Sequence, residues 1–268
     1  MKEKMNYSEY VGFVQETNRP SGGIKTVQTS CVNAFINNNK KVLEIGCNTG
    51  FTSINIARLT GAEVIGIDVV KNSLNAAKKK VEVENLQRVS FEKASATELP
   101  FEDETFDVVW LSNVLSFIDD KKKALNECTR VLKTTGFLIF IPIYYLKNPP
   151  EELITDVSEA ISSPLTVRKK EDWISFIDDE FGNHEIVFEE DYTYIDVEDE
   201  LDEYLEEVFN KPHLSSYDEE FLSTLRKKGK YFMSLFNENL KYAGYSIFIL
   251  QKLKFKEETE LFKSKKKN

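Results

Sequence analysis

Apolar and polar positions along the chain follow two periods. Tyr7, Tyr10, Val11 and Val14 stand at i, i+3, i+4 and i+7, which predicts a short amphipathic helix over 7–16. Asn18-Arg19-Pro20-Ser21-Gly22-Gly23 must end it, and 24–35 reads as a second helix before Asn37-Asn38-Asn39. Short apolar runs then appear at Val42 to Ile45, Val64 to Ile67, Phe106 to Val109 and Phe137 to Ile143. Helical stretches at 51–59, 72–84 and 119–132 separate them. Apolar strands alternating with helices predict a parallel sheet covered by helices on both faces. Past Pro150, 151–161 and 169–181 read as helices and 185–195 as a sixth strand. An acidic helix over 196–210 ends at Lys211-Pro212. A longer helix over 216–239 turns Phe221, Leu222, Leu225, Phe232, Leu235 and Phe236 towards a core, and 242–253 is a seventh strand. The expected organisation is N-terminal helices (1–39), an α/β core (40–195), an acidic helical cap (196–240), the last core strand (241–253) and a basic tail (254–268). The cap is longer than a bare sheet needs. Long insertions without a function are uncommon, so it is read as contributing to ligand recognition.

Charge changes this picture more than composition does. The chain of 268 residues suits one large domain or a domain with a lobe. It has no apolar stretch near the roughly 20 residues of a membrane span and opens on a polar, charged segment, so neither span nor signal peptide is expected. Cys31, Cys47 and Cys128 are widely spaced without C-x-x-C pairing, which argues against disulfides and against a metal site and fits a cytoplasmic protein. His184 and His213, the only histidines, read as surface residues. The net charge of −10 is unevenly placed: 17 acids and no Lys or Arg lie between Glu171 and Asn210, leaving 35 basic against 28 acidic residues elsewhere. A solvated helical face is one reading of that segment. A lobe that attracts a cationic ligand and repels phosphate backbones is the other. The terminal Lys263-Ser264-Lys265-Lys266-Lys267 reads as a disordered tail.

The candidate chemistry centres on Val42-Leu43-Glu44-Ile45-Gly46-Cys47-Asn48-Thr49-Gly50, a strand, a glycine turn and then a helix. Such a unit suits a ligand with anionic or polar groups. The dinucleotide pattern G-x-G-x-x-G fails, because Asn48 and Phe51 occupy its second and third glycine positions. The acid-x-Gly-x-Gly-x-Gly motif of class I S-adenosylmethionine (SAM) methyltransferases fits Glu44, Gly46, Asn48 and Gly50, with Asn48 in place of the middle glycine. Asn tolerates positive φ better than other side chains. Val64-Ile65-Gly66-Ile67-Asp68 resembles that family's second strand, with the acid 24 residues after Glu44. Ala94-Ser95-Ala96-Thr97-Glu98-Leu99-Pro100-Phe101 resembles its Gly-Asp-Ala-x-x-Leu-Pro-Phe segment, with Ser95 in place of Asp. Phe106-Asp107-Val108-Val109 resembles its fourth strand. Arg130-Val131-Leu132-Lys133-Thr134-Thr135-Gly136 resembles the Arg-Val-Leu-Lys-Pro-Gly-Gly before its fifth.

The resemblance implies a Rossmann-like, seven-stranded, mostly parallel sheet with lid helices before it and a cap between strands six and seven. It implies SAM as cofactor, with S-adenosylhomocysteine (SAH) as product. The cofactor would be held by Glu44, Gly46, Cys47, Asn48, Gly50, Asp68, Val69, Ser95, Ala96, Thr97, Ser112 and Asn113. Tyr7 and Tyr10 on the lid, Ser116, and Tyr144 and Tyr145 after strand five are the candidate acceptor contacts, although the tyrosine pair also reads as core. The loop Leu111 to Ile118 carries neither Asn/Asp-Pro-Pro-aromatic nor His-His, so nucleic acid is disfavoured and a histidine base from this loop is excluded. A deprotonated amine needs no strong base, whereas an alcohol does. The expected function is methyl transfer to a small molecule or short peptide at nitrogen, by a monomer or homodimer away from membranes. Oxygen or carbon methylation of a neutral, quinone-type metabolite and a non-catalytic SAM-binding regulator are the alternatives.

Overall fold

The computed structural model describes residues 5–255. The basic run at 263–267 therefore lies outside the described residues. Two helices, α1 (Tyr7–Val14) and α2 (Gly23–Asn33), precede the sheet. Then β1 (Lys41–Ile45), α3 (Phe51–Thr60), β2 (Glu63–Asp68), α4 (Lys71–Val83), β3 (Val89–Lys93), β4 (Phe106–Ser112), α5 (Lys121–Val131) and β5 (Leu132–Ile141) alternate. Next come β6 (Ile143–Tyr145), α6 (Glu151–Ile161), α7 (Lys170–Glu180) and β7 (His184–Thr193). The last elements are α8 (Leu201–Phe209), α9 (Glu219–Leu240) and β8 (Ala243–Lys252).

β3, β2, β1, β4 and β5 lie side by side in parallel, and β8 runs antiparallel to β5. β7 pairs with the other edge of β8, also antiparallel. There are eight strands among the described residues, not seven, because the apolar run 137–143 is split. Pro142 has no N–H to give the ladder, so β5 stops at Ile141 and β6 resumes on the same side of β8, pairing Ile143 with Tyr245. β3, which the apolar runs do not single out, is an edge strand with alternating burial.

Side chains of the central strands alternate between two cores, as period-two geometry requires. Val109 and Leu111 pack with Leu125, Cys128, Trp173 and Ile177 of α5 and α7 on one face. Val108 and Trp110 pack with Val27, Cys31 and Ile56 of α2 and α3 on the other. A third cluster joins α1, α6, α8 and α9 through Tyr10, Val11, Ala160, Leu205, Leu225 and Phe232. The acids of α8 and of the 3₁₀ turn before it are exposed: Glu198, Asp199, Glu200, Asp202, Glu203, Glu206 and Glu207. That is the solvated-face reading of the acidic stretch.

Two family motifs hold each other in place. Arg130 Nη1 donates to Phe101 O at 2.7 Å and Nη2 to Leu99 O at 3.1 Å. Glu127 accepts from the Leu99 N–H at 2.8 Å and pairs with Arg130. Ala94 to Phe101 is thereby pinned to α5, which sets Ser95 to Thr97 at the end of β3.

Candidate active site

The carboxyl ends of β1, β2 and β4 open into a cavity of about 1300 Å³. Pockets for one small molecule usually measure roughly 300–1,000 Å³, so this one has room for a cofactor and a second ligand. Glu44, Gly46, Cys47, Asn48, Asp68, Val69, Ser95, Ala96, Thr97, Ser112 and Asn113 all line it. Gly50 does not. It caps α3 at φ +85°, and a Cβ there would sit 2.6 Å from the Phe91 ring and 3.0 Å from Ala77. Its role is to let the turn enter α3, behind the cavity wall.

The turn itself is shaped by backbone. Gly46 has φ +75°, and a Cβ on it would meet Val114 at 2.7 Å. Asn48 adopts φ +46°, so it does the work of the missing glycine. The N–H groups of Gly46 and Cys47 bond to Ile67 O, and that of Gly50 bonds to Cys47 O. These N–H groups are therefore occupied, and the turn presents its concave surface to the cavity. Asp68 stands at the tip of β2 and accepts the Asn48 N–H at 2.9 Å and the Val70 N–H at 2.8 Å. Burial raises its pKa against the pull of those bonds. Glu44 is buried and accepts the N–H and O–H of Ser53, anchoring the first turn of α3 to β1. Burial pushes its carboxyl up to about 7, with the hydrogen bonds from Ser53 and Thr52 opposing. Cys47 belongs to a small apolar cluster with Ile54, Leu74 and Phe91, and burial raises its thiol pKa.

On the opposite side, Tyr7, Ser116 and Tyr145 line the cavity, while Tyr10 and Tyr144 do not. Tyr10 is 1% exposed and packs edge-on to Phe232 at 5.6 Å in the α1–α9 cluster. Three residues apart, or about 300° of helix rotation, Tyr7 and Tyr10 lie on neighbouring but not identical surfaces of α1. Tyr144 and Tyr145 point to opposite faces of β6. Tyr144 enters the core and takes a hydrogen bond from Ser246 Oγ at 3.1 Å. Tyr145 reaches the cavity and donates to Asn239 Oδ1 at 2.9 Å. Both histidines are half-buried and lie outside the cavity, so neither is placed to contact a ligand there. His213 Nε2 lies 3.1 Å from Phe13 O, and His184 lies 3.2 Å from Asp178.

Sequence reasoning missed several lining residues. Arg19 is the one cation among the described lining residues, with its guanidinium over the Phe51 ring at 5.5 Å. Ser21 and Tyr194 bond hydroxyl to hydroxyl at 2.6 Å across the wall. Phe236, Asn239 and Leu240 come from the end of α9. Only the Pro20-Ser21-Gly22 break signalled a loop near the site; nothing in the alternation around Tyr194 or the amphipathic pattern of α9 marks those residues.

A parallel sheet with a glycine turn after β1 and an acid at the tip of β2 defines a Rossmann-like protein that binds a nucleoside cofactor at its strand ends. The comparisons make that class specific. A methyltransferase domain family matches residues 43–140. Methyltransferase GfsG of Streptomyces halstedii is 35% identical over 132 residues, covering 49% of this chain and 47% of that protein. The solved structure of the MccD protein matches with a TM-score of 0.71 at 26% identity, over 88% of this chain and 99% of that one. Haemonchus contortus phosphoethanolamine N-methyltransferase 2, solved in complex with SAM, matches with a TM-score of 0.65 at 19% identity, over 92% of this chain and 57% of its own. The matched stretches span from 43% to 66% of the length of curated relatives. Residues 43–140 are a methyltransferase domain of class I, Rossmann-like fold, which points to SAM as the cofactor.

The cavity wall fits that group. A concave glycine turn, a buried acid beneath it and a second acid at a strand tip would suit a cofactor with an amino-acid end and a ribose.

Proposed function

We propose that the protein transfers the methyl group of SAM to nitrogen of a small molecule or short peptide, with Glu44, Gly46, Asn48, Asp68 and Ser95 to Thr97 holding the cofactor. The observation that carries this is the character of the cavity beyond the cofactor strip. No histidine or lysine lines it among the described residues, whereas Glu9, Asp119 and Asp120 do. Tyr7, Phe117, Tyr145, Trp173, Tyr194 and Phe236 give it aromatic walls. The C-terminal end of the 22-residue α9 faces it through Asn239 and Leu240. Carboxylates, ring faces and a helix C-terminus all favour a positive or partly positive ligand. The exposed acids of α8 do not line the cavity, so selection for a cationic acceptor is assigned to these lining groups and not to the acidic stretch.

Bound SAM supplies an electrophilic methyl carbon on a sulfonium whose leaving group departs as a neutral thioether. The chain's part is to bind, orient and exclude water. Orientation of two reactants accounts for up to about 7–11 kcal/mol of barrier lowering. Amine N–H groups need acceptors that fix the lone pair direction, and the lining carboxylates provide them. The test is transfer of labelled methyl from SAM into fractionated cell extract, with Asp68→Ala as control. Label in a basic small-molecule or peptide fraction supports the reading. Label in a neutral lipid or quinone fraction supports the oxygen or carbon alternative. Label in RNA, or none above control, overturns both.

A further inference from the structure

The cap and the cofactor turn are joined by a strap of backbone. The strap is residues 13–19, the end of α1 and the loop after it, and its continuation Asn18 to Gly22 lines the cavity. α1 has no basic residue in its own last turn, so its terminal carbonyls look elsewhere for cations. They find them on the connection between α8 and α9. Lys211 Nζ donates to Gln15 O at 2.5 Å and to Val14 O at 3.3 Å, beside His213 on Phe13 O. From the other side, Thr49 of the glycine turn donates its hydroxyl to Glu16 O at 2.6 Å. Lys80 of α4 donates in turn to Thr49 O at 3.0 Å. The Asn18 N–H closes the loop on Glu16 O. The Glu16 side chain is 6% exposed and accepts a hydrogen bond from Tyr204 of α8, with Lys211 and Arg19 as its nearby positive charges. Gln15 takes the left-handed conformation at φ +51°, which turns its carbonyl out of the helix and towards Lys211.

We propose that Lys211 is a positioning residue for the cofactor: it latches the strap 13–19 from the cap side against the glycine turn, and so sets how long the cofactor stays bound. Lys211 does not line the cavity, so it acts through Gln15, Glu16 and Thr49. The strap cannot leave the glycine turn without breaking the bond from Thr49, nor the cap without breaking those from Lys211. Cap and cofactor turn are therefore linked through the strap. This inference rests on the SAM assignment and not on the identity of the acceptor.

Two measurements test it on the full chain: amide hydrogen exchange in the ligand-free protein, and the dissociation rate of SAH. Lys211→Met removes the charge-assisted bonds, whose loss is on the scale of about tenfold or more. Amides of Gln15, Glu16 and Asn18 are expected to exchange at least about tenfold faster, with α5 unchanged, and SAH to leave faster by a similar factor. Lys211→Arg, which keeps donors on both carbonyls, is expected to restore both. Unchanged exchange at those three amides, or a rise spread evenly over the protein, overturns the latch. So does faster exchange with an unaltered SAH rate. If Lys211→Met does not fold, Thr49→Val cuts the same strap from the core side and must show the same local rise. A wild-type protein that fails to retain SAH refutes the cofactor assignment, while the exchange arm still decides whether Lys211 holds the strap.

Discussion

Asp68 already holds two backbone N–H groups. A carboxylate offers about four lone-pair directions, so capacity remains to accept from a ribose hydroxyl. Asp68→Ala is expected to weaken SAM binding by about 1.5–3 kcal/mol, the range for hydrogen bonds to a charged group; calorimetric titration checks it, and unaltered affinity removes Asp68 from the site. Glu44 carries a pH signature. Its pKa in the fold is about 7 against an ordinary 4.5. Below 4.5 both folded and unfolded forms are protonated. Between 4.5 and 7 the unfolded chain loses its proton first, so stability falls with rising pH, by about 3 kcal/mol at most, and levels off above 7. Glu44→Gln keeps an oxygen for Ser53 and removes the titration. Urea midpoints at pH 4.5, 6 and 8 are expected to decline less in the variant; equal declines refute it. Among single residues, the legible ones were those whose chemistry is local. Glu44 and Asp68 announce themselves because an acid in or at the tip of an apolar strand needs a specific polar partner. Tyr10 and Tyr7 look alike in sequence and both pack on Phe232, and only the fold shows that Tyr7 reaches the cavity while Tyr10 does not.

Elements were the most legible level, since apolar runs and helical spacing are read within a window of the chain. The strand–turn–helix unit, the fourth strand and the three helices of the core stand where periodicity places them. The split at Pro142 follows from a missing N–H, but its consequence for strand count depends on the partner strand, β8, about a hundred residues later. The bracing of Ala94 to Phe101 by Arg130 belongs to the same level. Arg130→Met strands two carbonyls and the Glu127 carboxylate. It is expected to lower stability by about 2 kcal/mol, and to weaken SAH binding through Ser95 to Thr97, as thermal melts and calorimetry would show. Full affinity with lowered stability would confine Arg130 to a structural role.

For the whole molecule, the acidic stretch is the instructive case. Its 17 acids read first as a solvated face, with a ligand-attracting lobe as the alternative. In the fold Asp199, Glu200 and Glu203 are exposed, and none of them lines the cavity. Neutralising the three to Asn, Gln and Gln is expected to change methyl transfer by no more than about twofold, as substitutions on a solvated surface do. A larger loss in the labelled-transfer assay would return the acidic face to acceptor recognition.

The sequence by itself determined the α/β alternation, the glycine turn, the two acids beside it and hence the cofactor, because each is encoded within a few neighbouring residues. Tertiary structure alone decided which tyrosine of each pair faces the cavity, that α1, α6, α8 and α9 share one core, and that Arg19, Tyr194 and Asn239 meet across the same space. Those residues are separated by up to 220 positions, and no periodicity in one segment records the side chains of another. Lys211 shows the same limit: a lysine after a helix is unremarkable until the carbonyls of Val14 and Gln15 are found beneath it.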